Sequence, residues 1–148
     1  MTAIDPISRL GVSAGTSAMA DAFVGSAPYQ ASASGAGNSY SPVFSADGRR
    51  VAFVSHANNL VTNDDRAPHL DLFLRDLVAS NTVLVSVNTN GFGGANDNIG
   101  FYTLSSNAQV IAFDTDANNL AAGDTNRWRD IYVRDLASGV TRLITPGA

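Results

Sequence analysis

The chain has no cysteine, no lysine and no glutamate among its 148 residues. The missing cysteine excludes disulfides and metal sites built on thiolates. All nine basic residues are Arg and all thirteen acidic residues are Asp, which gives a formal net charge of −4. Nucleic-acid surfaces need clustered cations that neutralise phosphates, so this charge argues against a nucleic-acid partner. No apolar run approaches the ~20 residues of a helical membrane span, and none is expected.

The first 40 residues contain little that could form a core. The segment 14–39 is rich in Ala, Ser and Gly, which bury too little apolar surface to order by themselves. We expect residues 1–40 to hold a strand at 7–13 followed by a loop or arm. The opening segment MTAIDPISRL lacks the basic region of a signal peptide, so no leader is predicted.

One sequence pattern occurs twice, about 60 residues apart. Residues 45–60 read SADGRRVAFVSHANNL, and residues 105–120 read SSNAQVIAFDTDANNL. The similarity continues as DLFLRDL at 71–77 and DIYVRDL at 130–136. A fixed period of this kind is the signature of a repeat architecture.

Each repeat predicts four short strands joined by turns. Abundant Asp, Asn and Gly favour turns over helix, so helix should be scarce. We place one unit at 41–88 and the second at 89–148. The predicted strands are 41–45, 49–55, 71–76 and 82–87 in the first unit, and 101–105, 109–115, 130–135 and 141–145 in the second.

The central strands are apolar on both faces. Residues 51–54 and 72–74 are continuous apolar runs, as are 110–113 and 131–133. Such strands must be covered on both sides. The hairpin links are too short for crossover helices, so other sheets must provide the cover. Four-stranded antiparallel sheets packed face to face around an axis form a β-propeller. Pro42 fits the innermost, edge strand of such a blade.

We therefore predict an all-β fold with two four-stranded antiparallel blades of the β-propeller type. Closed propellers typically have about four to eight blades, so two blades form an incomplete propeller. An open pair leaves apolar surface and unpaired strand edges in water. We expect oligomerisation, or missing blades of a longer protein, to complete it. The 7–13 strand could add to a neighbouring copy.

The residues of the repeat resemble a known family. SADGRRVAFVS, followed by a strand that opens with Asp and by an Arg-Asp-Leu turn, is similar to the PD40, or WD40-like, repeat of TolB-type β-propellers. The NNL loop leading into a GDTN-type segment also resembles repeats of large bacterial surface proteins. The resemblance covers most of residues 41–145 and departs from the pattern at Asn107, Ala108 and His56. It implies a propeller fold and an extracellular or cell-envelope location, but no single function, because propellers host many chemistries.

Acidic loop residues ahead of the third strand of each unit are candidate calcium ligands. Calcium takes about six to eight hard oxygen ligands from carboxylates, amides and carbonyls. The same side chains can instead close Asx turns and cap strand ends, and no bidentate Glu is available. Calcium is the one candidate cofactor. The candidate ligands are Asp64, Asp65 and Asp71 in the first unit and Asp124, Asn126 and Asp130 in the second.

Trp128 is the single tryptophan and stands between Arg127 and Arg129. Aromatic and Arg side chains that are exposed together are enriched at binding hot spots. A buried tryptophan would instead cap the hydrophobic face of its blade. The loops 56–70 and 116–129 form the candidate contact rim, because loops on a rigid scaffold usually carry recognition.

The sequence favours a non-enzymatic interaction or structural module, which associates with itself, with further blades or with another protein. Enzymatic function has little support, since there is no cysteine nucleophile and the two histidines, His56 and His69, lie in one loop region. Two alternatives from other classes stay open. One is the propeller portion of a peptidase-like hydrolase, and the other is a calcium-dependent adhesive or carbohydrate-binding module.

Overall fold

Eight β-strands form the regular structure of residues 37–145, which are the residues that the computed structural model describes. No helix occurs among these residues, as the turn-rich composition predicts. The predicted strand at 7–13 and most of the predicted arm lie outside the described residues. The strands are β1 (Ser39–Phe44), β2 (Arg50–Ser55), β3 (Asp71–Asp76), β4 (Asn81–Leu84), β5 (Ile99–Leu104), β6 (Val110–Thr115), β7 (Asp130–Asp135) and β8 (Val140–Leu143).

The strands form two four-stranded antiparallel sheets with the orders β1-β2-β3-β4 and β5-β6-β7-β8. The predicted all-β class is therefore confirmed. We call the first sheet blade 1 and the second blade 2. Both belong to one compact part of the chain.

The turn between the first two strands is built alike in both blades. Asp47 accepts hydrogen bonds from the Ser45 hydroxyl at 2.7 Å and the Arg49 N–H at 3.0 Å. Gly48 then takes a left-handed φ of +68°. In blade 2 Ala108 holds the same conformation, with φ +52°, although it has a Cβ. The turn is thus preserved in blade 2, where Asn107 and Ala108 stand in place of Asp47 and Gly48.

Each blade has two different faces, because successive side chains along a strand alternate between the faces. The pairs Ala52–Leu74 and Phe53–Phe73 show the alternation in blade 1. The aliphatic face comprises Ala52, Val54, Leu72 and Leu74 in blade 1, and Ala112, Asp114, Ile131 and Val133 in blade 2. The aromatic face comprises Phe53, Phe73 and Leu84 in blade 1, and Phe113, Tyr132 and Leu143 in blade 2.

The main core lies between the blades. The aliphatic face of blade 1 packs against the aromatic face of blade 2 in one buried cluster. Tyr132 and Leu72 are 0% exposed there, and Phe113 stacks on Tyr132 with ring centroids 5.9 Å apart. Phe73, Leu84 and Val87 form a separate small cluster on the aromatic face of blade 1. The two sheets therefore stack as neighbouring propeller blades do.

Hydrogen bonds donated by backbone N–H groups also join the blades. The Ile99 N–H donates to the Leu70 carbonyl at 2.8 Å, and the Leu70 N–H donates to Asn98 Oδ1 at 2.7 Å. At the opposite end, the Ala46 N–H donates to the Ser106 carbonyl at 2.9 Å. The interface is thus fixed by polar contacts at both ends of its apolar centre.

The edge strand β1 is exposed along its whole length. Its pairing with β2 shifts register between Tyr40 and Val43. The shift includes Ser41, whose φ is +54°, and Pro42, which has no N–H to donate. Proline thus occupies the edge strand, as the sequence predicts.

Candidate functional site

The aliphatic face of blade 2 is open to solvent. Phe101 is 82% exposed and Ile131 is 45% exposed. Val110 and Val140, at the other end of the same face, are also exposed. A hollow of about 250 Å³ lies between Phe101, Thr103, Ala112 and Ile131. Contiguous apolar surface of this kind marks interaction sites on soluble proteins.

The same face of blade 1 is buried. Leu72 stands at the position of Ile131, and it is 0% exposed because blade 2 covers it. The contrast shows that the face is built to be covered and that blade 2 has no cover among the described residues. The continuous apolar run at 131–133, from which two-sided cover is predicted, is the sequence signal for this surface.

The loop ahead of β7 adjoins this face. Trp128 is 78% exposed, and its backbone N–H donates to Asn126 Oδ1 at 2.7 Å. Arg129 donates to Asp116 at 3.0 Å and lies 3.8 Å from Asp114. The hydrogen bond to Asp116, with the negative charge of that carboxylate, raises the pKa of Arg129.

The three predicted binding residues therefore differ in their contacts. Trp128 and Arg127 are exposed, while Arg129 forms an ion pair with Asp116 of blade 2. The Arg129 guanidinium lies close to Gly100, since a Cβ added at Gly100 would be 3.1 Å from it. The loop ahead of β7 therefore reaches β5 next to Phe101. Trp128 is thus exposed beside the aliphatic face and does not cap a buried surface.

The calcium candidates of the second unit are engaged in local hydrogen bonds. Asp124 accepts from the Asn126 N–H at 3.3 Å and from the Tyr132 hydroxyl. Asp130 accepts from the Thr145 hydroxyl at 2.6 Å, and its second oxygen, Oδ2, is buried without a partner among the described residues. Burial raises the pKa of the Tyr132 phenol, and the neighbouring Asp124 carboxylate raises it further.

The first unit places its three candidates near one another. Asp64 and Asp65 accept the N–H groups of Arg66 and Ala67 at 3.1 and 2.9 Å, as Asx turns do. Burial, followed by the charge of Asp65, raises the pKa of Asp64. Asp71 is only 2% exposed and accepts from the Ser86 hydroxyl at 2.6 Å.

No group of three or more His, Cys, Asp or Glu side chains within residues 37–145 is arranged to hold a metal ion. The hydrogen bonds in both loops fit the purely structural interpretation of these residues. A calcium site would have to draw on Asn126 or on backbone carbonyls, which also bind this ion. Calcium binding by Asp64, Asp71, Asp124, Asn126 or Asp130 stays a prediction.

Asp71 links blade 1 to the segment that leads into blade 2. Its Oδ1 accepts the Ala95 N–H at 3.0 Å. Gly93, Gly94 and Ala95 are buried around it. A Cβ at Gly94 would come within 3.0 Å of both carboxylate oxygens, a distance that real Cβ contacts essentially never show. The first half of the segment GGANDN at 93–98 is therefore a buried part of the linker between the blades, while Asn96 and Asn98 are exposed.

Burial makes Asp71 sensitive to pH. Burial raises the pKa of Asp71 from 3.8 to about 6, against the opposing effect of its hydrogen bonds from Ser86 and Ala95. The Asp71 carboxyl therefore holds its proton more tightly in the folded protein than in the unfolded chain. The contribution of Asp71 to the free energy of unfolding is full below its unfolded pKa of 3.8 and is lost as pH rises through about 6.

Asp71→Asn is expected to make the protein more stable at neutral pH, because the amide keeps an acceptor oxygen and carries no buried charge. The gain should approach about 3 kcal/mol at most and vanish near pH 4. Urea unfolding at a series of pH values measures it. Asp97→Asn is the matched control, since it removes a half-buried carboxylate of the same linker. An equal gain in both variants, or a gain independent of pH, would contradict this account.

No family model and no curated protein matches the chain. The likeness to the PD40 repeat therefore remains a resemblance of motifs. Among solved structures, the chain is similar to TolB from Acinetobacter baumannii, with 18% identity and a TM-score of 0.46. The match covers 74% of this chain and 21% of that chain, so this chain spans about a fifth of the TolB structure. Within the described residues, no helix could cross a membrane.

Proposed function

We propose that this chain is a non-enzymatic interaction or structural module of the β-propeller type. Its contact surface is the aliphatic face of blade 2 together with the loop 126–129. The observation that carries the proposal is the contrast between Ile131, 45% exposed, and its buried counterpart Leu72. The module assembles with copies of itself or serves as part of a larger bacterial extracellular or envelope protein.

The composition of the surface supports protein recognition. Phe101 and Trp128 are the most exposed large aromatic residues beside this face, and Arg127 and Arg129 flank the tryptophan. Aromatic and Arg side chains dominate the energetics of protein interfaces, because they bury large areas and still offer polar contacts. Each Å² of apolar surface that a partner removes from water here would contribute roughly 25 cal/mol of hydrophobic free energy.

A photo-crosslinking amino acid tests the surface directly. We expect the crosslinker at Phe101 or Trp128 to give covalent protein adducts in the cells that produce the protein, and mass spectrometry to identify the partner in each adduct. Val78, which is 71% exposed on the β3–β4 turn, is the control position and should give none. The absence of adducts at both test positions, or equal adducts at Val78, would rule out this contact surface.

A further inference from the structure

We infer that the aliphatic face of blade 2 binds the aromatic face of blade 1 in a second copy of this chain. Copies would then associate head to tail through a repeat of the interface that already joins the two blades. This inference rests on the proposed function and names the partner of the same surface.

The aromatic face of blade 1 is only partly covered. Phe73 and Leu84 are buried, but Phe44 is 60% exposed, and Val51 and Phe53 are half-buried. These three residues lie on one face, since Phe44 pairs with Val51 and Phe53 follows two residues later.

The corresponding part of blade 2 is covered more completely, because its apolar residues pack into the main core. Ile111 and Phe113, the counterparts of Val51 and Phe53, are 0% and 2% exposed. They are covered by the aliphatic face of blade 1. The chain therefore carries one half of the blade interface open on blade 2 and the other half partly open on blade 1, around Phe44. The two halves are complementary by repetition.

The polar contacts at the junction repeat in the same way. The Asn98 carbonyl accepts from the Thr115 hydroxyl at 2.9 Å, while its side chain accepts the Leu70 N–H across the interface. Asn38 stands at the same place in blade 1, where its carbonyl accepts from the Ser55 hydroxyl at 3.3 Å. Asn38 is exposed, and so is Arg129, the counterpart of Leu70. The side-chain oxygen of Asn38 in one copy can therefore accept a hydrogen bond from the backbone N–H of Arg129 in another.

Asp130 supplies an independent observation. Its counterpart Asp71 accepts the Ala95 N–H from the linker that enters the next blade. Asp130 is 5% exposed, yet its Oδ2 has no partner among residues 37–145. In a docked pair, a donor from the second copy can reach this oxygen, as the Ala95 N–H that leads into blade 2 reaches Asp71.

Three charged residues lie on the face that would be covered, by the register of its strands: Asp114, and, towards the β7–β8 turn, Asp135 and Arg142. Asp114 occupies the position that Val54 holds in blade 1. It accepts the Phe101 N–H at 2.9 Å and has the Arg129 guanidinium at 3.8 Å. A buried charge is tolerated when it is paired and hydrogen-bonded, so Asp114 does not oppose docking.

A head-to-tail contact joins two different surfaces and closes into a ring when the rotation between copies allows it. Propellers of about four to eight blades would need two to four copies of this pair of blades. The interface leaves the loop 126–129 at the rim of each junction.

Single-face variants and their mixture test the inference, with mass measured by light scattering on the full chain. Ile131→Arg blocks the blade 2 face and Phe44→Arg blocks the blade 1 face. We expect the wild type to assemble and each variant to associate about tenfold more weakly or worse. Val78→Arg should behave as the wild type. Phe101→Arg replaces Ile131→Arg if the latter loses its thermal transition.

Mixing is the sharper measurement. Each variant keeps one intact half of the interface, so an equimolar mixture should form a 1:1 pair and nothing larger. Assembly of Phe44→Arg alone would show two like faces pairing, which overturns the head-to-tail arrangement but leaves the contact surface valid. A monomeric wild type would exclude a second copy as the occupant. The crosslinks at Phe101 and Trp128 then decide separately whether the proposed function stands.

Discussion

Tyr132→Ala is expected to lower the free energy of unfolding by about 3–5 kcal/mol, as removal of a large buried aromatic side chain does. Tyr132 is 0% exposed at the centre of the interface between the blades. Its ring stacks on Phe113, and its hydroxyl donates to Asp124 and lies 2.9 Å from the Ala117 carbonyl oxygen. Small domains have a total stability of about 5–15 kcal/mol, so this loss brings the fold close to unfolding.

Tyr132→Phe is the matched control, because blade 1 carries Phe73 at the equivalent position. This variant keeps the ring but leaves the Ala117 carbonyl and the Asp124 carboxylate without the hydroxyl. We expect a loss of about 1–2 kcal/mol. Chemical denaturation of the two variants measures the difference. Equal losses would mean that the hydroxyl, rather than packing between the blades, dominates the contribution of Tyr132.

Gly94→Ala is expected to cost at least about 2–3 kcal/mol, which is typical of a methyl group forced into a packed site. The new Cβ would overlap both oxygens of the Asp71 carboxylate. That carboxylate cannot easily turn away, since the Ser86 hydroxyl and the Ala95 N–H hold it. The backbone of Gly94 is not left-handed, so the effect is one of space alone.

The double variant Asp71→Ala/Gly94→Ala separates this clash from other causes. With the carboxylate removed, the alanine at 94 should cost much less than it does in the wild type. The two substitutions should therefore be strongly non-additive in a double-mutant cycle. Additive losses would place the strain elsewhere in the linker and would contradict the close packing of Gly94 on Asp71.

The sequence predicts the strands well where one local pattern fixes both ends. β3 and β7 span Asp71–Asp76 and Asp130–Asp135, as predicted. Each begins at an Asp, continues as an apolar run, and ends at an Arg-Asp pair. In both turns that follow, the last Asp accepts two backbone N–H groups, which stops the strand there. The ends of β4 and β8 are less well predicted, because they depend on contacts beyond the hairpin.

The candidate site could be predicted only in part. Two-sided cover follows from the apolar runs, and the exposure of Trp128 is one of two interpretations that the sequence leaves open. Which face of blade 2 stays open depends on which way the blades stack, and no local pattern encodes that. The contact of Asp71 with Ala95, 24 residues apart, is likewise invisible to a reading of local motifs.

The irregular strand β1 has a consequence for how copies of the protein can meet. A flat, free strand edge invites uncontrolled addition of further strands, the route by which fibrils grow. Ser41 and Pro42 interrupt that edge, because a left-handed residue kinks it and a proline withholds a donor. Growth by backbone templating is thereby discouraged at β1, so contacts made there must depend on the shape and chemistry of side chains.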